Sequence, residues 1–170
     1  MRVILFRHGP AGERDPVRWP DDGLRPLTSR GEERTHAAAA SLARIEPGVA
    51  LIVTSPLRRA TQTARVLAGE FDDAPVETLD ALRPMGSHRL VLEFLGARAA
   101  GETVALVGHE PDLGKLAGVL VFGAPVALPL KKAGACALEF EGEVKPGGGR
   151  LLWAMPPRLL RRVAGKKHRV

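Results

Sequence analysis

The chain has 170 residues, 45% hydrophobic and 26% charged, which suits one folded domain with a sizeable core and is too apolar for intrinsic disorder. Its single cysteine, Cys136, excludes an intrachain disulfide framework, and no run of roughly eighteen apolar residues offers a membrane span, so a soluble, cytoplasmic protein without a membrane partner is expected. Much of the net charge of +6 is local, in Arg158, Arg161, Arg162, Lys166, Lys167, His168 and Arg169; lacking interleaved aromatic residues, this stretch reads as a solvated terminus, not a nucleic-acid surface.

In chain order, Val3 to Phe6 is an apolar run of strand length, too short before Arg7 for the core of a secretory signal. The connection from Pro10 to Pro26, with Trp19 and mixed charges, reads as a long loop, either a rim that selects substrates or plain surface. Thr28-Ser29-Arg30-Gly31-Glu32 offers a helix start, with Ser29 and Glu32 at capping-box spacing, and an alanine-rich helix follows to about Arg44. Ala50 to Thr54 predicts a second strand. Ser55 then serves as a cap and Pro56 as first helical residue of a helix whose inward stripe is Leu57, Ala60, Ala64 and Leu67.

Val76 to Leu79 is a weaker strand, Arg89 to Arg98 carries a helical pattern, and Thr103 to Val107 is a strong strand. That strand ends in Gly108-His109-Glu110-Pro111 and is followed by a helix from about Asp112 to Val121. Ala135 to Phe140 and Leu151 to Met155, joined by the turn-rich Glu143 to Gly149, are two further strands. Strands alternating with helices predict a single-domain α/β fold with a mostly parallel central sheet flanked by helices, the last pair forming an antiparallel edge. The domain is placed at residues 1–163 and a basic tail at 164–170.

Ligands of open α/β sheets bind beyond the carboxyl ends of the strands. Arg7 and His8 follow the first strand, Arg59 lies in the first helical turn after the second, and His109 follows the strand from Thr103. If those strands are neighbours, two histidines and two arginines surround one small anion, with the helices after Ser55 and Gly108 contributing N–H groups. A neutral imidazole can attack phosphorus while guanidinium forks hold the oxygens. Any one histidine at a strand end is commonly a packing or capping residue; four residues in register argue otherwise. His36 and His88 read as surface residues, Cys136 as a buried structural thiol, and no spacing provides a metal site or a P-loop.

Arg7-His8-Gly9, the segment from Ser55 to Ala64 containing Arg58-Arg59, and Val107-Gly108-His109-Glu110-Pro111 together resemble the histidine phosphatase superfamily, which includes phosphoglycerate mutases. The likeness is greatest to SixA-type phosphohistidine phosphatases, which share Arg25-Pro26-Leu27-Thr28 and a closing Leu152-Trp153-Ala154-Met155-Pro156. It spans about Met1 to Leu160. The resemblance implies a phosphoglycerate mutase-like fold, His8 as nucleophile, and Arg7, Arg59 and His109 as ligands of the transferred phosphoryl group, His109 being protonated while phosphate is present. Family spacing selects Arg59 over Arg58. No metal and no cofactor are implied.

The chain departs from the pattern where many members carry an acid that protonates the leaving oxygen. Here Thr78-Leu79-Asp80-Ala81-Leu82-Arg83-Pro84 covers that region and Ala81 takes the acid's place. Asp80, one residue away, is a proton-donor candidate with turn capping as its alternative; Glu110 is a second candidate. Proton donation is typically worth about 10²- to 10⁴-fold, mostly for a poor alkoxide leaving group. Its loss favours a phosphorylated imidazole or a phosphoanhydride over a sugar phosphate. The expected partner is a phosphohistidine-bearing protein or a small phosphorylated substrate. A small-molecule phosphatase and a noncatalytic phosphoprotein-binding module are the alternatives; a mutase, which must retain its product, is disfavoured because Leu79 to Arg89 leaves no room for a lid.

Overall fold

The computed structural model describes residues 1–164. Six strands form one sheet: β1 (Arg2–Arg7), β2 (Val49–Thr54), β3 (Val76–Thr78), β4 (Thr103–Gly108), β5 (Ala135–Glu139) and β6 (Arg150–Met155), in the spatial order β3-β2-β4-β1-β5-β6. The pairs β2–β3, β2–β4 and β1–β4 are parallel, while β5 is antiparallel to both β1 and β6. The edge strand β6 is thus paired antiparallel, as expected, yet only β5 runs against the common direction.

Helices cover both faces, which is why β1, β2 and β4 read as unbroken apolar runs and not as an alternating pattern. Ile4 and Phe6 point to the core beneath α1 (Ser29–Ile45), α2 (Arg58–Glu70) and α5 (Pro157–Ala164). Val3 and Leu5 point to the opposite core, beneath α3 (His88–Gly96) and α4 (Asp112–Phe122). The alternation of neighbouring side chains between two cores is the strand's two-residue period. Cys136 is buried in the second core, and burial raises its thiol pKa to about 12, as befits a structural thiol.

Local chemistry corrects several sequence expectations. Thr28, not Ser29, caps α1: its side chain accepts from the Gly31 N–H at 3.0 Å. At Gly31 a Cβ would lie 1.9 Å from the Pro10 carbonyl oxygen, so the bare backbone lets α1 pack directly on the chain leaving the first strand. Ser55 and Pro56 do not open α2, which begins at Arg58 without a side-chain cap. Residues 157–164, read as charge-rich surface leading to the tail, form α5, which docks through the fully buried Leu160. The expected tail lies outside the described residues except for Ala164.

Candidate active site

Register places the two histidines. In the β1–β4 ladder Arg7 pairs with Gly108, so His8 and His109 leave adjacent strands side by side, with ring centroids 5.0 Å apart and planes inclined at 53°. The His8 N–H continues the ladder by donating to the Gly108 carbonyl at 3.1 Å. Next to them, β2 is followed by Ser55, whose N–H donates to the Val107 carbonyl at 3.0 Å. Arg59 follows in the first turn of α2 and is buried, 3% exposed, whereas Arg58 is exposed. Arg7, His8, Arg59 and His109 all line one cleft of about 650 Å³.

The His8 tautomer follows from its neighbour. Nδ1 lies 2.7 Å from the Gly9 carbonyl oxygen, which can only accept, so Nδ1 carries the proton and Nε2 keeps its lone pair. Burial, followed by the fields of His109, Arg59 and Arg7, lowers the His8 pKa to about 3. The ring is therefore neutral at physiological pH, with a lone pair on Nε2. The Gly9 N–H donates to Thr63 Oγ1 at 3.0 Å and the Thr63 hydroxyl to the Arg59 carbonyl at 2.7 Å, tying this loop to the helix that carries Arg59.

His109 Nε2 is 2.9 Å from Ser55 Oγ, which also accepts from the Leu57 N–H at 3.4 Å. The serine hydroxyl donates to Nε2 when the neutral ring carries its proton on Nδ1 and accepts from Nε2–H when the ring is protonated. Burial and then the field of Arg59 bring the His109 pKa down to about 4, opposed by Asp112. A bound dianion reverses that balance and favours the imidazolium.

Each arginine is oriented by a partner outside the cluster. Arg7 Nη1 donates to the Leu130 carbonyl at 2.8 Å. Arg59 Nη1 donates to the Asp22 carbonyl at 2.8 Å, and its Nη2 lies 3.2 Å from the Asp22 carboxylate. Asp22 is in turn held by Arg25 Nε at 2.7 Å, and Arg25 Nη1 reaches the Gly12 carbonyl at 2.6 Å. The Pro10 to Pro26 connection is thereby joined to the site. Three buried nitrogens remain without a hydrogen-bond partner among the described residues: Arg7 Nε, Arg59 Nε and His109 Nδ1. Buried donors left unsatisfied are costly, and these three belong to side chains that line the cleft beside His8.

Of the two proton-donor candidates, only Glu110 reaches the cleft. Asp80 sits in a short 3-10 turn, its side chain 84% exposed and paired with Arg83 Nε at 3.0 Å, and it does not join the cleft. Glu110 does reach the cleft and its carboxyl pKa is raised by burial, but Oε1 accepts the Leu130 N–H at 2.9 Å. It therefore steadies the carbonyl that orients Arg7. Asp112 is likewise engaged, accepting the Met85 N–H at 2.9 Å. Ala81 shares a small recess with His109 and His88, and His88 is half-buried, its Nε2 3.1 Å from the Asp112 carbonyl, rather than lying free on the surface. No His, Cys, Asp and Glu grouping able to hold a metal occurs among the described residues.

Ser55, Thr63, Asp22 and Arg25 enter the site without having been singled out for it from sequence. Ser55 read as a helix cap, and its bond to His109 links residues 54 apart. The remaining signal for Arg25 was its place in the Arg25-Pro26-Leu27-Thr28 segment.

Residues 3–90 match the family model described as histidine phosphatase superfamily (branch 1). An uncharacterised protein of Picosynechococcus sp. is 40% identical over 142 residues, covering 82% of this chain and 85% of its own. The phosphohistidine phosphatase SixA of Escherichia coli K12 is 28% identical over 162 residues, covering 92% and 94%. Among solved structures, protein histidine phosphatase SixA complexed with tungstate superposes with a TM-score of 0.81 at 26% identity, covering 94% of this chain and 99% of that one. With the two histidines and two arginines gathered at the ends of three neighbouring parallel strands, with the family model matching residues 3–90 and a 40% identical relative covering 82% of the chain, the protein belongs to the histidine phosphatase superfamily.

Proposed function

We propose that this protein is a phosphohistidine phosphatase that works through a covalent phosphohistidine on His8, with a phosphohistidine-bearing protein as its substrate. The observation that carries this reading is the His8 ring itself: Nδ1–H is committed to the Gly9 carbonyl at 2.7 Å, so the free lone pair lies on Nε2, within a cleft that also presents Arg7, Arg59 and His109. Pure binding has no need of a neutral nucleophile amid positive charge, which weighs against a noncatalytic module.

In the proposed scheme the Nε2 lone pair forms the N–P bond as the bond from phosphorus to the leaving group breaks, the bonding pair departing with that group. Arg7, Arg59 and protonated His109 take the charge on the phosphoryl oxygens. Water then attacks phosphorus, phosphate leaves, and His8 returns to its neutral form as a proton passes to solvent. No metal or other cofactor enters these steps.

The substrate class is supported by what stands beside the phosphoryl pocket. Ala81 brings a methyl group to the recess next to His109, and the nearby carboxylates of Glu110 and Asp112 accept backbone N–H groups. An alkoxide leaving group would find little help there, whereas a departing imidazole takes its proton from solvent. The likeness to SixA proteins points the same way. Rapid mixing with a 32P-phosphohistidine protein, followed by alkaline quench, should trap acid-labile label on His8, and His8→Ala should lose at least about 10³-fold in turnover. Undiminished turnover in His8→Ala would overturn the mechanism; faster hydrolysis of alkyl monoesters than of phosphohistidine would replace the substrate class with a small-molecule one.

A further inference from the structure

Lys132 is an exposed residue in the wall of the cleft that holds His8. Its position is fixed by the backbone. Because β5 runs antiparallel to β1, with Phe6 opposite Ala135, the turn entering β5 folds back over Arg7 and His8. The Ala133 N–H points at the Arg7 and His8 carbonyls, at 3.1 and 3.2 Å, and the Gly134 N–H donates to the Lys131 carbonyl at 2.7 Å. Ala133 is fully buried with φ of 58°, a left-handed conformation that an L-alanine adopts only at a cost. The turn that presents Lys132 is therefore strained and bonded to the backbone of the nucleophile.

The charge around Lys132 is equally uneconomical in the free protein. Its ammonium has no acidic partner among the described residues, and it feels Arg7, Arg25 and Arg59, whose fields add to burial in lowering its pKa. Of the other cations lining the cleft outside the four-residue cluster, Arg25 is already committed to Asp22 and the Gly12 carbonyl, and Arg14 and Lys115 stand on other segments than the turn that is bonded to Arg7 and His8. The cleft is lined by more cations than acids, and such an excess is relieved by a ligand that brings negative charge. The transferred phosphoryl group is matched by Arg7, Arg59 and His109, which leaves Lys132 uncommitted.

We propose that Lys132 is a substrate-binding residue that holds a second anionic group carried by the substrate beside its phosphoryl group. The proposal rests on the phosphatase reading and extends it. Two sources share this chemistry: an acidic side chain next to a phosphohistidine, or the neighbouring phosphate of an anhydride.

Calorimetric titration of His8→Ala protein with orthophosphate and with imidodiphosphate, with and without Lys132→Ala, isolates the second anion. Removing Lys132 should weaken imidodiphosphate about tenfold, the range of one charge-assisted contact near a surface, and orthophosphate less than about twofold; Lys132→Arg should retain both affinities. Equal losses for the two anions, or no loss for either, would overturn the proposal. In the otherwise native protein, a rise in KM for a phosphohistidine protein but not for phosphoramidate assigns the second anion to an acidic side chain; an effect confined to imidodiphosphate assigns it to an anhydride. Should no substrate turn over while the two anions still separate in binding, the phosphatase reading fails and the Lys132 site stands.

Discussion

Two imidazoles 5.0 Å apart and flanked by guanidinium groups are costly to protonate, and both have been pushed in the same direction. Burial and His109 hold His8 at about 3, while burial and Arg59 hold His109 at about 4. An exposed histidine titrates near 6.5, so the unfolded chain takes up these protons first. Their contribution to stability is complete above about pH 6.5 and is lost as pH falls through the interval down to the folded values, by at most about 1.4 kcal/mol per pH unit for each ring. The thermal midpoint should accordingly drop between about pH 7 and pH 4.5, and less steeply in His8→Ala. Identical slopes in the two proteins would contradict a buried, neutral His8. At this scale the sequence pointed to the four chemical groups because they occur in short motifs. It hid Asp22 and Ser55, because their partners Arg59 and His109 lie 37 and 54 residues away.

The elements were legible where a local pattern decides them. Both-face burial made β1, β2 and β4 plain as apolar runs, and the alanine-rich α1 and the stripe of α2 followed from helical spacing. Their ends were less legible, since capping depends on which side chain turns back to the backbone. Thr28 fills the role at α1, so Thr28→Ala should cost about 1 kcal/mol of stability, while Ser29→Ala should stay within about 0.5 kcal/mol. Urea melts of the two variants check this assignment; the reverse order would restore Ser29 as the cap. The helix α5 was obscured by its arginines, because only the burial of Leu160 distinguishes it from a charged terminus. Lys132 could have been found from the topology alone, since an antiparallel β5 must bring its entering turn to the end of β1 where His8 stands.

For the molecule as a whole, the net charge of +6 is accompanied by a cleft that concentrates Arg7, Arg14, Arg25, Arg59, Lys115 and Lys132 around His8. Such a surface speeds the arrival of anions and loses that advantage as salt shortens the range of its field. Raising ionic strength from about 0.02 to about 0.2 M should therefore lower kcat/KM for a phosphorylated substrate several-fold while leaving kcat nearly constant. A salt-independent kcat/KM would mean that the cations act only after contact. No helix among the described residues is long and apolar enough to cross a membrane, and the cleft is walled by loops, among them the connection that Asp22 fastens to Arg59.

The pairing of β1 with β4 also sets a dimension. Neighbouring strands in any sheet lie about 4.8 Å apart, close to the 5.0 Å that separates the His8 and His109 rings. The ladder brings His8 and His109 out of adjacent strands, and the Gly9 carbonyl and the Ser55 hydroxyl then hold the two rings. Any remodelling of the cleft is therefore best made in the loops above the strand ends, where Met85 and Lys132 lie outside every strand ladder.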